Sequence, residues 1–292
     1  EVNGGRYSVR SLLGHPNFLA GFVGPVLMLC PGLLVCAQRL WMRIVLALAT
    51  GVLAVCVVVT GSRSIWLATL GVGGAMLIVS LPALRRIRFG RATWLGLAAI
   101  VLAVALFAVP NPLVPRRYSF TKRLMSPRPV ASRQYFYVTA CHMIVRNPIL
   151  GIGYNNFDMA FWKHAAALQS EPENQVFSYV LEDLGGVRPD RVHNEYLQMA
   201  AETGILGIGS FLLLVVLFFS TTHATHRALR SPGEKLVVTG MTGAVAVVLI
   251  DSLFSFPLHL PSSTLVFWLI LGFGSWYGCA QLVEFEPKPE VR

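Results

Sequence analysis

Residues 204–221 read GILGIGSFLLLVVLFFST, eighteen residues without one charged side chain. A helix needs roughly 20 apolar residues to cross the hydrocarbon core of a bilayer, so this stretch predicts a membrane span. Six further runs have the same character: Asn17–Ala37, Met42–Thr60, Ser64–Leu81, Thr93–Val109, Leu236–Phe256 and Pro261–Leu282. The sequence therefore predicts an all-α, polytopic transmembrane helical bundle with about seven spans in this chain.

The composition agrees with a lipid bilayer as the main partner of the chain. Hydrophobic residues make up 54% of the 292 residues and charged residues only 13%, whereas a soluble domain carries about 25% charged residues. The net charge of +10 comes from basic residues between the apolar runs. This placement indicates membrane topology and anionic lipids rather than nucleic acid. The five cysteines form no CxxC pair, and we interpret them as small apolar residues.

The apolar runs divide the chain into four parts. Residues 1–109 hold spans one to four, residues 110–203 form a polar insert, and residues 204–283 hold spans five to seven. We expect residues 284–292 to form a short charged tail in the cytoplasm. We expect the insert to be mostly helical and to cover the mouth of the bundle.

Basic residues predict which way the chain crosses the membrane. If the spans alternate, three basic loops fall on one side, and basic short loops mark the cytoplasmic side. The insert would then be extracytoplasmic, and the expected location is a bacterial inner membrane with the site facing the periplasm. The three loops contain Arg39 and Arg43, residues 85–91, and residues 223–235.

The first half of the insert is strongly basic. From Asn111 to Leu150 there are seven arginine and lysine residues and no acidic residue. One interpretation is a solvated surface beside anionic headgroups. The other is an anion-binding mouth, because arginine offers phosphate a fixed fork of donors.

Arg63 lies in the motif Gly61-Ser-Arg-Ser64, at the predicted outer end of span three. Ser62 or Ser64 is placed to cap the helix. The helix N-terminus and the guanidinium would together present positive potential to an anion. The alternative is an interfacial arginine whose head reaches water.

Arg133 precedes a predicted amphipathic helix, Tyr135–Val145, which Asn147-Pro148 ends. The glycines that follow, Gly151 and Gly153, predict a tight turn where the backbone approaches a ligand closely. The alternative is a surface helix with a purely structural role.

His193 opens the motif HNEYLQMAAETG, which begins a helix leading through Gly204 into span five. The dipole at a helix start favours the neutral form of an imidazole, which is the form that acts as a base. Asn194 is placed to cap this helix, and Glu202 is either part of a site or only an interfacial carboxylate. A lone histidine with a structural role remains the alternative.

The order of these motifs resembles the O-antigen ligase and O-antigen polymerase superfamily. The resemblance rests on Arg63 at the start of a span, on NPILGIGYNNF at residues 147–157 after Arg133, and on HNEYLQMAAETGILG at residues 193–207. The segment from Arg10 to Ala20, RSLLGHPNFLA, is also similar to one that precedes a span in this family. Members usually have more spans, which implies missing N-terminal helices.

The resemblance implies a GT-C-like fold and a glycosyltransferase of the O-antigen ligase type. Such enzymes move a glycan from undecaprenyl pyrophosphate to lipid A–core on the periplasmic face, with inversion and without metal or cofactor. By similarity, His193 would be the general base, and Arg63 and Arg133 would bind the pyrophosphate. Secondary candidates in the same motifs are Arg10, Asn194, Glu202 and Asn155.

Three alternatives to a ligase stay open. An O-antigen polymerase and a protein O-oligosaccharyltransferase use the same kind of donor, and the sequence does not separate them from a ligase. A transporter of the bicarbonate-uptake kind should show paired charges or broken helices near mid-membrane. The predicted spans are almost free of charge, which favours an enzyme that works at the interface.

Overall fold

The computed structural model describes residues 15–87, 131–170, 184 and 189–285, with positions 98, 101, 102 and 105. Within these residues, all regular secondary structure is helical. Arg10 and most of the predicted span Thr93–Val109 lie outside the described residues. The all-α prediction is confirmed.

Six helices in the described part of the chain are long and apolar enough to cross a membrane. They match the predicted spans other than Thr93–Val109, and the chain is a multi-pass membrane protein. The helices are α1 (Pro16–Cys36), α2 (Leu40–Thr60), α3 (Arg63–Leu84), α4 (Ala131–Arg146), α5 (Phe157–Gln169), α6 (Glu195–Ala228), α7 (Pro232–Asp251) and α8 (Pro261–Phe285). The candidate spans among them are α1, α2, α3, α6, α7 and α8. A short 3₁₀ helix, Pro257–His259, precedes α8.

The chain forms two compact units, of which the first comprises residues 1–126, 217–251 and 260–292. In this unit α1 packs against α7, and glycines allow the two helices to approach closely. A Cβ atom on Gly32 would lie 2.7 Å from the backbone of Val237, and one on Gly240 would lie 2.9 Å from the carbonyl of Met28. Small residues at helix contacts are typical of membrane bundles, because apolar lipid tails give helices no hydrophobic reason to associate.

The second unit comprises residues 127–216 and 252–259. Helix α4 packs against α5 around a core that includes Phe136, Met143, Phe157 and Phe161. Helix α4 contains the predicted helix Tyr135–Val145 and ends at the residue before Asn147, as the Asn-Pro pair predicts.

Helix α6 is broken inside the second unit at Gly204, where φ is 63° and ψ is −166°. In a continuous helix, the N–H groups of Ile205 and Leu206 would bond to the carbonyls of Ala201 and Glu202. The break separates these partners. Two donors and two acceptors must therefore find other partners, because an unpaired buried backbone group is costly.

Residues 147–153, which we call the docking turn, supply those partners. Gly151 and Gly204 make the contact possible, because a Cβ atom on either glycine would collide with the facing backbone. The close approach predicted for Gly151 is thus to the backbone of α6. The four bonds run from the N–H of Ile205 to the carbonyl of Pro148 (2.8 Å), from Leu206 to Ile149 (3.4 Å), from Ile152 to Ala201 (3.0 Å) and from Gly153 to Glu202 (2.9 Å).

Candidate active site

His193 lies directly before α6 and has a left-handed backbone, with φ of 62°. The helix cap is Asn194, whose Oδ1 accepts a hydrogen bond from the N–H of Leu197 at 3.0 Å, so the predicted cap is confirmed. A left-handed residue other than glycine is strained, and such strain persists where the surroundings fix the backbone. It is concentrated at active sites and ligand clamps.

The backbone on both sides of His193 is fixed by hydrogen bonds within the second unit. The N–H of Val192 donates to Oε1 of Gln198 at 3.1 Å. The N–H of Glu195 donates to the carbonyl of Ser252 at 2.8 Å. These bonds hold the strained residue at one place, as a reacting group requires.

The imidazole of His193 packs against two aromatic rings. The ring of Phe136 is stacked at a centroid distance of 6.2 Å, and the ring of Phe256 meets it edge-on at 5.2 Å. The hydroxyl of Tyr137 donates to the carbonyl of His193 at 3.5 Å. His193 is only partly buried, and packing against the two rings orients its imidazole.

Arg133 lies one helical turn before two residues of α4 that contact His193. Phe136 and Tyr137 follow Arg133 by three and four residues, so all three side chains share one face of α4. Since Phe136 and Tyr137 both contact His193, the structure brings the face that carries Arg133 to the candidate base. Asn155 and Glu202 lie in the same unit.

Arg63 belongs to the first unit, where it is the first residue of α3. Ser62 occupies the N-cap position, but its side chain makes no capping bond. Its Oγ instead lies 3.2 Å from Oγ of Ser64. The predicted position of the helix start is confirmed, and the predicted serine cap bond is not formed.

Two carboxylates and a histidine form a buried cluster in the second unit. Glu195 and Glu202 are both 0% exposed. The ring of His259 lies between them, with Nδ1 2.6 Å from Oε1 of Glu195 and Nε2 3.3 Å from Oε2 of Glu202. Both ring nitrogens face acceptors, so both donate and the ring is an imidazolium. Burial lowers the pKa of His259, but the hydrogen bonds and charges of Glu195 and Glu202 outweigh it and raise the pKa to about 9.

This Glu–His–Glu cluster connects three segments of the second unit. Glu195 accepts a hydrogen bond from the N–H of Leu258 at 3.0 Å, which holds the 3₁₀ helix. Glu202 accepts one from the N–H of Asn155 at 2.8 Å, just before α5. Asn155 is also left-handed, with φ of 61°. The cluster thus joins the starts of α5 and α6 to the segment before α8.

The sequence interpretation missed this cluster. Glu202 is fully buried within the protein and accepts from His259 in this cluster. Glu195 and Glu202 are seven residues apart, which is two helical turns and therefore one face. Two carboxylates on one helix face indicate a cation nearby, although their spacing does not identify His259 as that cation. The seven-residue spacing of Glu195 and Glu202 was the feature of the sequence that indicated a cluster.

The model of the O-antigen ligase family matches residues 48–212, more than half of the chain. The chain belongs to the O-antigen ligase family. It has no match among curated proteins. The matched range includes Arg63, Arg133 and His193, whereas His259 lies after it. Membership in this family gives the chain a glycosyltransferase-like activity in a membrane, and it confirms the resemblance found in the motifs.

The raised pKa of His259 makes the stability of this family member depend on pH. The folded state binds the His259 proton more tightly than the unfolded state, whose pKa is near 6.5. This contribution, on the order of 3 kcal/mol, is complete below about pH 6.5 and is lost as the pH rises through about 9. We expect the thermal unfolding midpoint of the purified protein to fall over that window.

The matched control is the His259→Gln variant, because glutamine has no titratable ring. Its unfolding midpoint, measured by differential scanning fluorimetry from about pH 6 to about pH 10, should start lower and change less with pH than that of the wild type. Equal slopes for the two proteins would show that His259 is not the group responsible.

Proposed function

We propose that the chain is an O-antigen ligase that transfers a glycan from undecaprenyl pyrophosphate to a hydroxyl of lipid A–core. The observation that supports this most is the placement of His193. It is the histidine of the motif that resembles the family's, and it is partly buried and held in a strained backbone conformation.

The proposed reaction is a single displacement with inversion at the anomeric carbon. The acceptor oxygen forms a bond to that carbon while the bond to the pyrophosphate oxygen breaks. His193 accepts the proton of the acceptor hydroxyl, because a sugar hydroxyl is a poor nucleophile until a base removes its proton. The pyrophosphate leaves as an anion, so no acid is needed to protonate it, and the developing charge is stabilised by Arg63 and Arg133.

The proposed orientation places this chemistry on the periplasmic face of a bacterial inner membrane. Arg85 and Arg86 follow directly after α3, and Arg227 lies in the last turn of α6. Short basic loops stay in the cytoplasm. The opposite ends of these helices, which begin at Arg63 and Glu195, then face the periplasm.

The direct test is transfer by the full chain in proteoliposomes. We expect consumption of an undecaprenyl-pyrophosphate-linked glycan and the appearance of glycosylated lipid A–core with inverted configuration. The reaction should persist with a chelator, since no step in this proposal uses a metal. Release of glycan to water alone, or no consumption of the donor, would contradict the proposal.

Two parallel reactions identify the acceptor. One offers a second lipid-linked glycan in place of lipid A–core, and the other offers a serine-containing acceptor protein. Transfer to lipid A–core alone supports a ligase. Preferred transfer to the lipid-linked glycan indicates a polymerase, and preferred transfer to the protein indicates an O-oligosaccharyltransferase.

The two arginines give the next prediction. Arg63→Ala and Arg133→Ala should each reduce transfer by roughly 10- to 150-fold, because a charge-assisted contact to phosphate contributes about 1.5–3 kcal/mol. Lysine at either position should restore only part of the rate, since it lacks the bidentate fork. The measurement is the initial rate of glycan transfer at equal membrane abundance.

Arg146 is the matched control, because it lies at the exposed C-terminal end of the helix that carries Arg133. Arg146→Ala should leave the rate nearly unchanged. If Arg146→Ala and Arg133→Ala lowered the transfer rate equally, Arg133 would act only through its general positive charge and not through a specific contact. Unchanged rates in both Arg63→Ala and Arg133→Ala would show that these arginines do not bind the leaving group.

A further inference from the structure

The docking turn presents large apolar side chains on its surface. Ile149 and Leu150 are 61% and 72% exposed, and Val145, just before the turn, is 75% exposed. Scattered apolar residues are common on protein surfaces, but a group of large ones suggests a partner. The identity of that partner follows from the position of the turn.

The docking turn is bonded to the first residues of a membrane span. The N–H groups of Ile205 and Leu206 donate to carbonyls of the turn. The uncharged stretch from Ile205 to Thr222 contains eighteen residues before His223. At 1.5 Å per residue it is about 27 Å long, slightly less than the roughly 30 Å hydrocarbon core. With the other boundary of the core at His223, this boundary lies near Ile205, level with the turn.

Exposed apolar side chains continue from the start of the membrane span onto the docking turn. Ile205 and Leu206 are 63% and 57% exposed, as expected for lipid-facing residues of a span. Ile149 and Leu150 carry the same apolar character onto the segment bonded to them. The apolar surface of the docking turn thus extends the lipid-facing surface of α6.

The backbone of the docking turn also suits the edge of the hydrocarbon. Non-helical backbone at that depth requires internal hydrogen bonds. The carbonyls of Pro148 and Ile149 accept from α6, and the N–H of Gly151 donates to the carbonyl of Asn147 at 3.0 Å. The side chain of Asn147 donates to the carbonyl of Met143 at 3.4 Å.

We propose that the docking turn is a membrane anchor, with Ile149 and Leu150 inserted among phospholipid acyl chains beside α6. The carbonyl of Glu202 accepts from the docking turn, and its carboxylate belongs to the Glu–His–Glu cluster. The anchor therefore holds the first turns of α6, which follow His193 directly, near the depth of the lipid headgroups. If the proposed function is correct, this is also the depth of the donor's pyrophosphate.

The test measures lipid contact at single positions. The environment-sensitive fluorophore NBD is attached to Leu150→Cys in the full chain with its five native cysteines replaced by alanine, reconstituted in nanodiscs. Two matched positions are labelled likewise: Leu213→Cys on the exposed apolar surface of α6, and Ser170→Cys at the exposed end of α5. Ser170 is about 20 Å along α5 from its start.

Lipids brominated in the acyl chains should quench NBD at position 150 as strongly as at 213, and much more than at 170. Emission at 150 should also be blue-shifted. Quenching at 150 no stronger than at 170 would overturn the proposal. A blue shift at 150 without quenching would overturn it as well, because protein rather than lipid would then cover the turn. Neither readout depends on transfer, so failure of the anchor is distinguishable from failure of the proposed function.

If the cysteine-free protein does not fold, a second experiment uses the native chain. It carries the photo-crosslinking residue p-benzoylphenylalanine at position 150 or at position 170. On irradiation in a bilayer, a phospholipid adduct should form at position 150 and not at position 170. Absence of an adduct at 150, with an adduct at a position-213 control, would overturn the proposal.

Discussion

His193→Ala should leave the protein inserted in the membrane and lower glycan transfer by about 10²- to 10⁴-fold, the range that a general base contributes. Donor binding should persist, because in the proposed mechanism Arg63 and Arg133 bind the pyrophosphate independently of the base. The measurements are the transfer rate at equal membrane abundance and the retention of labelled donor. A loss of donor binding together with transfer would indicate disturbed structure rather than a missing base.

Alanine at position 193 also faces backbone strain, since φ there is 62°. Asparagine tolerates this left-handed conformation better than other residues with a side chain. His193→Asn therefore keeps the backbone and removes the base. We expect both variants to be nearly inactive. If His193→Asn retained most of the activity, the role of His193 would be conformational, and another group would accept the proton.

His259→Ala should destabilise the second unit by about 3–5 kcal/mol, because it leaves two buried carboxylates without their cation. This is a large share of the roughly 5–15 kcal/mol that stabilises a typical folded protein. We expect a much lower yield of folded protein and a lower thermal unfolding midpoint. Transfer should fall too, since the cluster holds Glu195, two residues after His193. The measurements are midpoint, yield and transfer rate per folded molecule.

Leu253→Ala is the control for His259→Ala, because the Leu253 side chain is exposed in the same segment. It should leave the midpoint nearly unchanged. Adding Glu202→Gln to His259→Ala removes one of the two uncompensated charges and should recover part of the lost stability. A midpoint for His259→Ala equal to that of Leu253→Ala would refute the electrostatic role of the cluster.

Local patterns predicted the elements of this fold well. Apolar runs located each described membrane helix, because a span must be apolar along its whole length. The Asn147-Pro148 pair located the end of α4, and Asn194 was correctly predicted as the cap of α6. Each of these features depends on neighbours within a few residues, which a single sequence displays.

Features that depend on distant contacts were not predicted. His259 reaches Glu195 across sixty-four positions of the chain, and no local pattern indicates that pairing. The left-handed backbone of His193 is imposed by residues from α4 and from the segment after α7, so the helix pattern did not reveal it. Gly151 was interpreted correctly as a turn residue, but its closest neighbour is α6.

The break at Gly204 has a consequence for biosynthesis. A span with two unpaired donors and two unpaired acceptors at its end would enter the bilayer unfavourably. The segment that pairs with them, residues 147–153, is synthesised about fifty residues earlier. It has therefore left the ribosome before α6 is complete, and in the proposed orientation it must cross to the far side to meet the start of α6. Integration of this span is then coupled to export of the preceding loop, so a chain whose loop stalled on the cytoplasmic side would also insert α6 poorly.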